Sequence, residues 1–198
     1  LPLVMYMGIF ANELVLVVLG DQWIEAAAIF QLLAVAAFIQ PIGGTRGLIL
    51  ISLGRTKKYF IWGLVNAVFV IVGFFVGIEY GITGVAVAYA VVNYFLLIPS
   101  LYYCLHNTPV SVGLFFREAM FPFLHTIITG IALYSIFVLP DIKMNNLLIL
   151  IVSSIITLIF YYGSWLMNPW GKDRIIIINE LILDLYKKLR RTIHERGK

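Results

Sequence analysis

The chain has 198 residues, 62% of them hydrophobic and 12% charged, with a mean hydropathy of +0.98 and 14 Lys and Arg against 10 Asp and Glu. A soluble domain is about 45–50% apolar and about 25% charged, so a water-soluble enzyme with an ordinary polar surface is excluded and lipid is the expected solvent. Disorder, a collagen-like repeat and a disulfide scaffold go the same way, because aromatics make up 15%, the 16 glycines have no period and Cys104 is the single cysteine.

The chain opens at Leu1 inside an apolar run, with neither an initiator Met nor a basic leader region, and is expected to be a piece of a longer natural sequence. A spanning helix needs about 20 residues, which leaves room for about six spans and no large extramembrane domain. Apolar runs predict those six as Leu1 to Leu19, Ile24 to Leu53, Tyr59 to Ile78, Ile82 to Leu105, Ala119 to Leu139 and Asn146 to Met167. Runs this long without alternating polarity are helices, since lipid offers no partner for unpaired backbone groups. Residues 1–167 thus read as an all-α, six-helix transmembrane bundle, and its short links make neighbours antiparallel.

The second segment is too long for one straight span, and Gln40-Pro41-Ile42-Gly43-Gly44 within it predicts a kink or unwound turn at Pro41, Gly43 and Gly44. Irregular backbone at membrane depth is tolerated where it faces protein or a wet cavity, so this break is either part of a transport path or a simple fitting kink. Gly73 with Gly77, and Gly84 with Ala88, are small pairs at packing distance that let helices approach closely.

Basic residues stay on the cytoplasmic side. With Leu1 inside, all but Arg46 and Lys143 of the 14 fall in inward links or in the tail, which places both ends in the cytoplasm. Trp23 then lies at the outer boundary, and Trp62, Trp165 and Trp170 at the inner one. Residues 168–198 form a cytoplasmic tail in which Ile178, Leu181, Ile182, Leu185, Leu189 and Ile193 recur at helical spacing. Lys187, Lys188, Arg190 and Arg191 lie mostly on the other face. This is an interfacial amphipathic helix on anionic head groups, or alternatively a solvated tail that meets a partner protein.

No catalytic or metal constellation is legible. His106, His125 and His194 are far apart, and no H-E-x-x-H, C-x-x-C or G-x-S-x-G occurs, so an enzyme is not expected, nor a cofactor or metal. Polar groups at membrane depth are then the functional candidates, because burying them is costly. Arg46, just past the helix break, could hold a phosphate bidentately or snorkel to head groups. Glu13 could bind a coupling cation or proton, or hydrogen-bond a neighbouring helix. Gln31, Gln40, Asn66 and Asn93 could line a polar path or join helices. Arg117 and Glu118 open the fifth segment as an interfacial charge pair, and His125 lies two turns deeper.

The first hundred residues carry a resemblance. Asn12-Glu13-Leu14-Val15 followed by Leu19-Gly20-Asp21-Gln22-Trp23-Ile24-Glu25-Ala26-Ala27 resembles the "E-L-V … L-G-x-x-W-x-x-A" segment of bacterial polysaccharide flippases. Leu53-Gly54-Arg55 resembles their cytoplasmic "G-R" turn, and Tyr80-Gly81-Ile82-Thr83-Gly84-Val85-Ala86-Val87-Ala88 looks like their "y-G-i-x-G-v-A-x-A" helix start. The match covers residues 1 to 105 and points to the lipopolysaccharide or exopolysaccharide branch of the multidrug/oligosaccharidyl-lipid/polysaccharide exporter superfamily. It implies a parent of twelve helices in two lobes around a central cavity, with this chain as the C-terminal lobe and the N-terminal lobe as its partner. It also implies a polyprenyl-pyrophosphate-linked oligosaccharide as cargo, Arg46 and then Arg117 as candidates for its phosphates, Glu13 as the candidate for cation coupling, and a polysaccharide polymerase as a further candidate partner. Nucleic acid is not expected. A cation-coupled multidrug antiporter of the same superfamily and a structural membrane subunit are the alternatives.

Overall fold

The structure is a computed structural model that describes residues 1–140 and 145–167, together with 171, 180, 181 and 184–186. Lys143, Trp170, the tail cations Lys187, Lys188, Arg190 and Arg191, and most of the amphipathic helix expected around them lie outside the described residues. The described elements are all helical: α1 (Pro2–Ile9), α2 (Ala11–Val18), a 3-10 turn (Asp21–Trp23), α3 (Ala26–Phe38), α4 (Gln40–Ser52), α5 (Thr56–Ile78), α6 (Gly81–Leu105), α7 (Val112–Leu133) with a π turn (Tyr134–Val138) at its end, and α8 (Asn146–Met167). The chain divides into two compact units, Leu1–Thr157 and Leu158–Lys198, with the boundary inside α8.

Among the described residues, five stretches are long and apolar enough to cross a membrane: Ala26–Ser52, Thr56–Ile78, Gly81–Leu105, Val112–Val138 and Asn146–Met167. Their outer surfaces suit lipid and not water, with Phe75 71%, Ile82 72% and Phe95 69% exposed. The expected first span is instead two eight-residue helices meeting at Phe10, each about 12 Å long and too short alone for a core of about 30 Å. Phe10 leaves helical geometry (φ −101°, ψ 32°) although its N–H still donates to Tyr6 O at 3.0 Å. Packing explains the break: the Phe10 ring is 1% exposed, with Tyr6 and Phe137 at ring-centroid distances of 5.0 and 5.9 Å. Hydropathy cannot register such a break, because Ile9, Phe10 and Ala11 are all apolar.

Helices α5 and α6 form an antiparallel hairpin turned by Gly81 in the left-handed region (φ +72°). A Cβ on Gly77 would lie 2.8 Å from Gly84 O and 2.8 Å from Val85 Cα, and one on Gly84 would meet Gly77 O in turn. The two backbones therefore touch where the small-residue spacing allows it. Further along, a Cβ on Gly73 would lie 2.8 Å from Val92 Cγ2, a side-chain atom.

Three apolar clusters hold the unit Leu1–Thr157. Tyr6, Phe10, Leu133, Phe137 and Ile149 join α1, α7 and α8. Ile42, Leu101, Leu105 and Phe115 join α4, α6 and α7, and Leu50, Trp62, Leu96 and Cys104 join α4, α5 and α6. Trp62 and Leu96 of the last cluster also line a cleft among these three helices. In the unit Leu158–Lys198, Tyr161 lies beside Trp165 with ring centroids 6.0 Å apart.

Candidate functional site

Between α4, α5 and α6 opens a cleft of about 650 Å3, a size suited to a small ligand or a head group. Its position follows from the interruption of the second span. The chain breaks at Ile39 (φ −93°, ψ −7°), and Pro41 sits in the first turn of α4, where a missing N–H costs nothing. Gly43 and Gly44 are helical, so the break lies one residue before Gln40 and not at the glycines. Thr45 Oγ1 donates to Pro41 O at 2.9 Å and helps hold this first turn.

Gly43 and Gly47 give α4 a flat face. A Cβ on Gly43 would lie 3.8 Å from Arg46 Nη2, and one on Gly47 would press on the Tyr59 ring at 3.0 Å. Arg46 Cζ lies 5.9 Å from the centre of the Trp62 ring, within cation–π range. Trp62 in turn lies against Tyr103 (5.6 Å), over which the Lys58 ammonium sits at 5.4 Å. Arg46 Nε is buried and has no hydrogen-bond partner among the described residues. A buried donor left unsatisfied costs about 1–3 kcal/mol, more when it is charged, so the guanidinium gains from an incoming acceptor. Around it stand Gln40, Tyr59, Asn66, Asn93 and Ser100. Asn93 and Ser100 spend a donor on their own helix, at Tyr89 O (2.7 Å) and Leu97 O (2.6 Å). The arrangement can hold an oxyanion on Arg46 and hydroxyl groups on the amides, with aromatic faces for the body of the ligand.

Glu13 lies elsewhere. It lines a second cavity, of about 600 Å3, with Asn12 and Gln31, and with Tyr94 and Tyr134. Two departures from regular helix border this cavity: the Phe10 break just before Asn12, and the π turn, where Leu139 N–H donates to Tyr134 O (3.0 Å). Its other walls are apolar, including Met5, Ile9, Val35 and Phe38.

Arg117 does not join Arg46. Helix α7 begins at Val112, capped by Ser111 Oγ accepting from Leu114 N–H (3.1 Å), so Arg117 and Glu118 are in its second turn and not before it. Arg117 Nη2 lies 3.7 Å from Glu118 Oε1, and the two side chains are 72% and 36% exposed. His125 Nδ1 pairs with Phe121 O at 2.9 Å on its own helix. Among the described residues no three His, Cys, Asp or Glu side chains assemble as metal ligands.

Among the described residues, fold and cleft together define an all-α protein with five helices long and apolar enough to cross a membrane and a cationic cleft between α4, α5 and α6. No family model, curated protein or solved structure matches it. The grouping of Arg46 with Trp62 and Tyr59 was hidden in the sequence, where Trp62 signals a membrane boundary; the signal that could have found it is the Arg46 and Trp62 spacing across a short turn.

Proposed function

We propose that this chain is the C-terminal six-helix lobe of an inner-membrane flippase that turns a polyprenyl-pyrophosphate-linked oligosaccharide from the cytoplasmic to the periplasmic leaflet by alternating access. The observation that carries the reading is Arg46: a guanidinium with a buried Nε that has no partner among the described residues, over the Trp62 ring in a cleft that also presents amides and hydroxyls. The ordered motifs in residues 1 to 105 support the family assignment. In this reading α1 and α2 together make the sixth span, since Pro2 to Val18 end to end reach about 26 Å. Both ends then face the cytoplasm, and the cleft receives the pyrophosphate on Arg46 and sugar hydroxyls on Gln40 and Asn66. Arg46→Ala in the complete exporter abolishes surface-polysaccharide export while membrane abundance stays unchanged; normal export in that variant refutes the phosphate role.

The Glu13 cavity favours a second reading, a cation-coupled antiporter of the same superfamily. No ion pair to Glu13 occurs among the described residues, and aromatic and apolar walls surround it. Loss of gradient-driven substrate efflux in Glu13→Gln, with polysaccharide export intact, would select that reading over the first.

A further inference from the structure

We propose that the open end of the α5–α6 hairpin is a binding site for the phosphate of an anionic phospholipid, held by Arg55 and Lys58. Arg55 Nη1 and Lys58 Nζ both donate to one oxygen, the carbonyl of His106, at 3.3 and 2.8 Å. Two cations converging on a single neutral acceptor repel each other. The carbonyls at the end of α6 supply only about half a negative charge, and the N-terminus of α5 adds about half a positive one. Lys57 stands in the first turn of α5, which holds no acidic residue. Among the described residues the one ion pair is Arg117 with Glu118, so neither Arg55 nor Lys58 has a carboxylate partner.

An anion placed between them removes that repulsion and finds free donors. A guanidinium carries five N–H groups and an ammonium three, and each has spent one here. The fork of Arg55 matches two oxygens of a phosphate, and Lys58 supplies a point charge already fixed over the Tyr103 ring at 5.4 Å. Depth and surroundings select a lipid over a soluble phosphate. Arg55 immediately precedes one spanning helix and His106 immediately follows the next, which puts the pair at head-group level. Leu53, Phe60 and Tyr102, within about two turns along the chain, are exposed and offer an apolar wall for an acyl chain. Tyr103 lies against Trp62, which carries Arg46, so this site and the cleft share an aromatic wall without sharing a cation.

The test is native mass spectrometry of the whole chain released from micelles containing phosphatidylglycerol or phosphatidylcholine with the same acyl chains. The wild type retains phosphatidylglycerol in preference to phosphatidylcholine, and Arg55→Gln with Lys58→Gln lowers that preference about tenfold or more, as loss of hydrogen bonds to a charged group requires. With Lys187, Lys188, Arg190 and Arg191 replaced by Gln, the preference that remains still falls on Arg55→Gln with Lys58→Gln. The proposal is overturned by equal retention of the two lipids, by loss only in the tail variant, or by inorganic phosphate displacing the lipid, which would make the site one for a soluble anion. Should the double variant fail to fold, the unaltered chain still decides. Phosphatidylglycerol with a photoreactive head group labels residues 55–58 or 102–106, and labelling confined to residues 172–198 overturns the proposal.

Discussion

Replacing Gly77 by Ala probes the contact on which the α5–α6 hairpin depends. The added Cβ would lie 2.8 Å from Gly84 O, 2.8 Å from Val85 Cα and 2.9 Å from Val85 N, all backbone atoms that no rotamer change can move. Optimal contact distances are about 3.5–4.0 Å, so the helices must part by at least roughly 0.6 Å along that stretch. A gap of about 0.5–1 Å forfeits a quarter to a half of each dispersion contact, and overpacking of this kind costs about 1–3 kcal/mol. Alanine returns at most about 1 kcal/mol of helix propensity, which leaves a net loss of up to about 2 kcal/mol. For a chain of this size that is a fall in Tm of up to about 8 °C. The control is Gly63→Ala in the same helix, where a Cβ meets nothing within 4 Å among the described residues; it leaves Tm unchanged or slightly raised. Thermal unfolding of the whole chain in lipid nanodiscs, followed by circular dichroism, measures both. Gly77→Ala as stable as Gly63→Ala would refute the backbone contact and with it the packing of the hairpin.

Two further outcomes are expected. Tyr6→Phe removes a hydroxyl that donates to Leu150 O at 2.8 Å and accepts from the buried Ser153 Oγ at 3.3 Å, so the same unfolding assay should show a loss of about 1–2 kcal/mol. Adding Ser153→Ala should then cost less than its effect alone, because the two hydroxyls act together. Accessibility reporters placed at residue 1 and residue 198 should lie on the same side of the membrane if α1 and α2 cross it; opposite sides would leave five spans and remove the six-helix lobe.

The spans were legible where hydropathy changes sharply. Asn146–Met167 lies where its apolar run does, Thr56–Ile78 begins three residues earlier than its run, and Gly81–Leu105 one residue earlier. The start of α7 was not legible, because Arg117 and Glu118 read as a link. They stand inside the helix because their side chains are partly exposed and pair with each other. Nor was the division of the first segment at Phe10, which long-range packing on Phe137 determines. Of the cleft, Gln40, Arg46, Asn66 and Asn93 were each visible as a polar group at membrane depth. What no single stretch of sequence carries is their convergence, or the separation of Glu13 with Gln31 into a different cavity.

The central claim is that Arg46 receives the phosphates of a lipid-linked saccharide. Titration of the whole chain in nanodiscs with a polyprenyl-pyrophosphate-linked saccharide tests it most directly. Hydrogen bonds to a charged group are worth about 1.5–3 kcal/mol, so Arg46→Gln should weaken binding roughly ten- to hundred-fold while Arg117→Gln leaves it unchanged. Equal affinity in wild type and Arg46→Gln, or a loss confined to Arg117→Gln, would contradict the account.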